Sequence, residues 1–169
     1  MRAALDRLYD VAAWIAAASM VGLLAMVLLG IAGRQFGFYL PGTDAWAGYL
    51  MAGAGFLSLA HTLKRNEHIR VTLLLGLAGP RTRRALERWA LGVALLLAGL
   101  LAFYSVRLAW QSYLFNDIST AADATPLWLP QLSMAAGSLI LLVAFVDELV
   151  LELRGRRAGA PAADMQRVE

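Results

Sequence analysis

Four long stretches without a single charged residue dominate this sequence. They are Val11–Gly33, Ala45–Leu63, Trp89–Val106 and a run within Ala124–Val146. Charged residues bracket each one: Asp10 and Arg34, Asp44 and Lys64, Arg88 and Arg107, Asp123 and Asp147. A helix needs about 20 mostly apolar residues to cross the hydrocarbon core of a bilayer. A crossing segment must also satisfy its own backbone hydrogen bonds, which selects helices where period-two alternation is missing. The chain therefore reads as an all-α membrane protein with four transmembrane helices. Its composition agrees: 60% hydrophobic, 16% charged, with a mean hydropathy of +0.61. A cleaved signal peptide is not expected in the first run, because its apolar stretch is too long and Asp6 and Asp10 precede it.

Lys and Arg set the orientation. With the N-terminus inside, 13 of the 15 basic residues fall on inner segments, leaving only Arg34 and Arg107 outside. This bias predicts both termini in the cytoplasm. Phe36, Phe38, Tyr39 and Trp46 on one outer turn, and Trp110, Tyr113, Phe115 and Trp128 on the other, mark an aromatic boundary.

The connections differ in character. Pro41-Gly42 signals a tight outer turn, making the first two helices antiparallel neighbours. The segment His68–Ala78 mixes Arg70 and Thr72 with aliphatic residues; it is too short to cross and reads as a short interfacial segment between helices two and three. Gly79-Pro80 reads as the start of helix three, and Thr125-Pro126 as the N-cap and first turn of helix four, with Pro130 as the alternative start. Residues 1–153 form one transmembrane domain. The tail 154–169 is basic, then rich in Ala, Gly and Pro, and is expected to be a poorly ordered cytoplasmic extension.

The chemistry missing from the spans constrains function. The four runs hold no Asp, Glu, Lys or Arg, whereas pumps and proton-coupled carriers place such groups inside the bundle. Ser19, Ser58, His61, Ser105 and Ser138 are expected to hydrogen-bond between helices. There are no cysteines, and no phosphate loop, metal cluster or nucleophile–base set is visible. The chain is read as neither an enzyme nor a nucleic-acid binder, and no cofactor is expected. Gly48, Ala52 and Gly55 share one helix face where another helix can approach closely, from within the chain or from a partner. His61 and His68 raise the alternative of a haem-binding or anchoring subunit of a redox complex; a self-contained channel or exporter is the third reading.

Two stretches carry a resemblance. Gly53-Ala54-Gly55-Phe56-Leu57 runs on to Lys64-Arg65-Asn66-Glu67-His68-Ile69-Arg70-Val71. Ser119 and Thr125-Pro126-Leu127-Trp128-Leu129-Pro130 form the second. Together with Arg34 they resemble the small (Q-type) membrane subunit of TRAP (tripartite ATP-independent periplasmic) transporters. Two positions depart from that pattern: Asp44 stands alone where paired acidic residues are common, and Thr72 replaces an acidic residue. The resemblance implies a bacterial inner-membrane scaffold in a sodium-coupled importer of an organic anion such as a carboxylate. Its implied partners are a large multi-span permease subunit, a periplasmic substrate-binding protein and membrane lipid. Arg34, Gly48, Ala52, Gly55, Lys64, Arg65, Glu67, His68, Arg70, Pro126, Trp128 and Pro130 are the expected interface or topology-fixing residues.

Overall fold

A computed structural model describes residues 2–38, 40–64 and 80–153. They form four α-helices: α1 (Arg2–Phe36), α2 (Thr43–Lys64), α3 (Pro80–Leu114) and α4 (Trp128–Leu153). Three of the helices hold segments long and apolar enough to cross a membrane: Leu5–Phe36, Arg88–Leu114 and Trp128–Leu153. α2 is about 33 Å long at 1.5 Å per residue, but is diluted by Gly, Ser, His and Tyr.

The helices pack as a row, not as a closed bundle. α2 lies between α1 and α4, and α4 between α2 and α3. This places α2, the helix outside those three apolar spans, where neighbours cover two of its sides. One end of the row carries the α1–α2 turn and the α3–α4 loop, here called the loop end. The opposite, terminal end carries the start of α1 and the end of α4.

Small residues make the contacts. α3 turns Ala98, Ala102, Ser105, Ala109 and Ser112 inward, a spacing of three and four that keeps them on one face. α4 answers with Ala135, Gly137, Ser138, Leu141 and Ala144. Among the described residues, Ser138 is the largest side chain that is fully buried, at 0% exposure, whereas Trp14 is 77% exposed. Such a distribution would be an aggregation hazard in water. In lipid it is expected, because apolar side chains gain nothing by leaving the acyl chains and helices associate by close backbone approach. Toward the terminal end, Tyr9 is the one aromatic residue among the buried members of the cluster with Ala60, Leu63, Ala98, Leu141 and Ala144.

α2 and α4 cross in close contact at Gly137. A methyl group placed on Gly137 would lie 2.5 Å from the carbonyl carbon and oxygen of Phe56. No side chain fits there, so glycine sets the separation of the two helices.

Several helix limits differ from the hydropathy runs. α1 begins well before Val11 and takes Asp6, Arg7 and Asp10 into its first turns. Lipid contact does not decide where a helix starts. α3 starts at Pro80 as expected, since proline lacks only an N–H that the first turn leaves unused. α4 starts at Trp128, not at Thr125-Pro126. Ile118 and Pro126 instead form an antiparallel bridge, with the Ser119 amide donating to Thr125 O (2.8 Å) and the Leu127 amide to Asp117 O (2.9 Å). Thr125 and Pro126 are thus engaged in a loop hairpin and are unable to cap. Pro130 falls in the first turn of α4, where a missing N–H costs no helical bond.

The serine hydroxyls also behave differently from the expectation of interhelical bonds. Ser19 donates to Ile15 O (2.9 Å), Ser58 to Gly55 O (2.9 Å) and Ser138 to Ala135 O (3.0 Å). The nearest acceptor is the carbonyl one turn back on the same helix. These hydroxyls are satisfied locally and leave the seams to van der Waals packing.

Replacing Gly137 by alanine should lower thermal stability in detergent by about 1–3 kcal/mol, as overpacking does. Gly55→Ala should be level or slightly stabilising, because alanine favours helix by up to ~1 kcal/mol over glycine and nothing lies within 4 Å of the added methyl. Circular dichroism melts of the two variants compare them directly; equal losses would remove the α2–α4 contact as the cause.

Candidate functional site

α2 has two different faces, both rich in small residues. Toward its neighbours it turns Gly53, Ala54, Leu57 and Ala60, all buried. A methyl on Gly53 would lie 3.3 Å from Ser19 Oγ of α1 and 3.8 Å from Ser133 of α4. Away from them it turns Gly48, Ala52 and Gly55. Gly48 and Gly55 are exposed, Ala52 is half-buried, and a methyl on either glycine would meet nothing within 4 Å. The Gly48–Ala52–Gly55 face is therefore not used in packing within the described chain. The face that does pack was not singled out from sequence, although Gly53, Leu57 and Ala60 lie at helical spacing with Ala54 beside them and were legible in principle.

At the loop end, Arg34 in the last turn of α1 faces Asp44 in the first turn of α2, with Nη2 and Oδ1 3.8 Å apart. Both side chains are exposed, so the pair ties the turn with little energy, in the range of 0–1 kcal/mol. A cleft of about 420 Å³ lies beside it, lined by Gly30, Gly33, Thr43 and the α3–α4 loop residues Ala121 and Ala122. Trp128 opens α4 and meets the ring of Tyr113 edge-on at 5.8 Å, and Tyr113 lies 6.3 Å from Trp110. Pro130 accepts the Ser133 hydroxyl at its carbonyl (2.7 Å).

The two loops of this end lock at Gly42 and Asp123. Gly42 has φ +81°, and a methyl there would lie 2.6 Å from Asp123 Cβ. Glycine is required twice over, by conformation and by space. The carboxylate oxygens of Asp123 are covered by the loop without a hydrogen bond of good geometry. The Thr125 hydroxyl above all, with those of Ser119 and Tyr49 and the residue's own amide, nevertheless holds the Asp123 pKa below the ordinary value, against desolvation. Pro41-Gly42 pointed to the turn; nothing in the sequence pointed to the loop that closes on it.

At the terminal end, His61 Nδ1 of α2 is 3.8 Å from Asp10 Oδ1 of α1, and Arg88 Nε of α3 is 3.9 Å from Glu152 Oε1 of α4. His61 thus faces a carboxylate of the adjacent helix. Lys64 is the last residue of α2. Arg65, Glu67, His68 and Arg70, the interfacial segment His68–Ala78 and the tail 154–169 lie outside the described residues.

A row of helices with small-residue seams, a lipid-like exterior and no charge in its apolar runs suits a transporter component. The sequence model of the family described as "Tripartite ATP-independent periplasmic transporters, DctQ component" matches residues 23–155. The chain belongs to this family. The match takes in the second part of α1 from residue 23, all of α2, α3 and α4, and the loop-end lock between Gly42 and Asp123. A comparison with curated proteins finds none that matches. As a DctQ component the chain is a membrane-spanning part of a TRAP transporter, and the redox-anchor alternative receives no support.

The lowered Asp123 pKa carries a sign. A carboxyl with a depressed folded-state pKa stabilises the fold above its unfolded value, near 4, and the contribution is lost as pH falls through the folded value. Melting temperature should therefore fall on acidification below about pH 4. Asp123→Asn should flatten that limb, measured by melts between pH 6 and 3; an unchanged acid limb would exclude Asp123 as its source.

Proposed function

We propose that this DctQ component is the non-catalytic scaffold subunit of a sodium-coupled importer. The imported solute is an organic anion, a carboxylate in the leading case, handed over by a periplasmic binding protein. Family membership carries this reading. The charge-free runs support it, because a chain without ionisable groups in its spans is poorly equipped to couple an ion gradient by itself.

In this reading all four helices cross the bacterial inner membrane. α2 crosses as the shielded middle element, and both termini are cytoplasmic. The basic bias toward the terminal end favours that orientation. The loop end then faces the periplasm, with Arg34, Asp44, Pro126, Trp128 and Pro130 on the side from which the binding protein arrives. Lys64, Arg65, Glu67, His68 and Arg70 mark the cytoplasmic exit of α2. The open Gly48–Ala52–Gly55 face receives a helix of the large permease subunit, since small residues without a partner in their own chain allow close approach.

Two measurements test this. Proteoliposomes with the large subunit and binding protein should take up substrate at the full rate only when this chain is present. Full uptake without it would end the scaffold reading. Gly48→Leu with Gly55→Leu should reduce co-purification of the large subunit by about tenfold, equivalent to about 1.4 kcal/mol, while the isolated chain melts as before. Undiminished co-purification would place the contact on another face.

A further inference from the structure

We propose that the groove between α3 and α4 beside Arg107 holds one anionic phospholipid, with an acyl chain along the helices and its phosphate on the guanidinium. The groove has a volume of about 530 Å³ and is lined by Gly99, Ala102, Phe103 and Val106 of α3 and Leu139 and Leu142 of α4. Arg107 and Trp110 complete its lining toward the loop end. It is nearly all apolar along its length and cationic at one end, which is the chemical outline of a phospholipid.

Three further observations favour this occupant. Arg107 makes no ion pair or hydrogen bond among the described residues. Of the loop-end carboxylates, Asp44 faces Arg34, Asp123 is enclosed by its own loop, and the exposed Asp117 forms no ion pair with Arg107. A lipid phosphate is the anion available to an arginine at the edge of the hydrocarbon, and the described residues offer Arg107 no other. Depth is also right. The uncharged run 89–106 spans about 27 Å as helix, close to the ~30 Å of the hydrocarbon core, so Arg107 is the first residue beyond it. Its long stem lets the guanidinium reach the phosphate level while the methylenes stay in the apolar region. Finally, Trp110, Tyr113 and Trp128 cluster just beyond it, as aromatic side chains do at headgroup depth. The missing side chain at Gly99 keeps the groove open, its nearest neighbour being Leu142 Cδ1 at 3.9 Å from where a methyl would stand.

Native mass spectrometry of the purified full chain tests the site, with dioleoyl phosphatidylglycerol and dioleoylglycerol as probes. The wild type should bind one phosphatidylglycerol, in preference to the phosphate-free lipid by about tenfold or more, as a charge-assisted contact provides. Arg107→Gln should abolish the preference and Arg107→Lys should keep part of it. Gly99→Leu should weaken both lipids with Arg107 intact. An unchanged preference in Arg107→Gln would overturn the proposal. So would loss of the large permease subunit on Arg107→Gln with lipid binding unaltered, since the counter-ion would then be a protein carboxylate. Displacement of the lipid by millimolar inorganic phosphate would overturn it as well. The proposal does not depend on the scaffold reading, because the isolated chain is the sample.

Discussion

The contact between Gly137 and the Phe56 backbone sets the geometry on which the rest of the array depends. Among lipid tails a leucine gains nothing by packing against another leucine, so apolar burial does not drive helices together. What remains is close dispersion contact, and that requires backbones without intervening side chains. Gly137 leaves no room for even a methyl group against Phe56. Ala60 of α2, Ala98 of α3 and Leu141 and Ala144 of α4 share one cluster, and Ser138, Ala102 and Ala109 are buried as well. The large side chains have nowhere to go but outward, which is why Trp14, Phe103 and Leu97 are exposed.

A row has a consequence that a closed bundle lacks. Each helix in a closed bundle hides one face; in a row the middle helices are flanked on two sides and still leave a third free. α2 occupies such a position, and its free face holds Gly48, Ala52 and Gly55, where lipid would be better matched by leucine or phenylalanine. Small residues on a lipid-facing strip contribute little. They become useful when another helix comes close, and the described chain supplies none there.

Much of the fold was legible in the sequence because the bilayer imposes a length on apolar runs. The helices, their order and the proline start of α3 followed from that constraint and from backbone chemistry. The start of α4 was misplaced because Thr125-Pro126 has the residue types of a cap, and only the pairing of Ile118 with Pro126 reveals that they are already occupied. The Gly48–Ala52–Gly55 face was found, but the opposite Gly53–Leu57–Ala60 face that packs was not. Glycine and alanine spacing identifies a face suited to close approach without saying which neighbour approaches. The Gly42–Asp123 lock was invisible because it joins positions about eighty residues apart, with no periodicity to reveal it.

The two basic residues of the loop end began as a pair in a topology count and end as different things. Arg34 has Asp44 across the turn, and its charge is answered within the chain. Arg107 sits one helical step beyond an uncharged run, at the end of an apolar groove, and the described chain offers it no anion. A topology signal requires only that a charge be on the correct side; it does not require a groove. A cation placed where apolar surface gives way to aromatic surface, with a glycine keeping the adjacent groove open, has the form of a lipid contact. In the scaffold proposed above, an immobilised lipid between α3 and α4 would extend the array on the side away from α2.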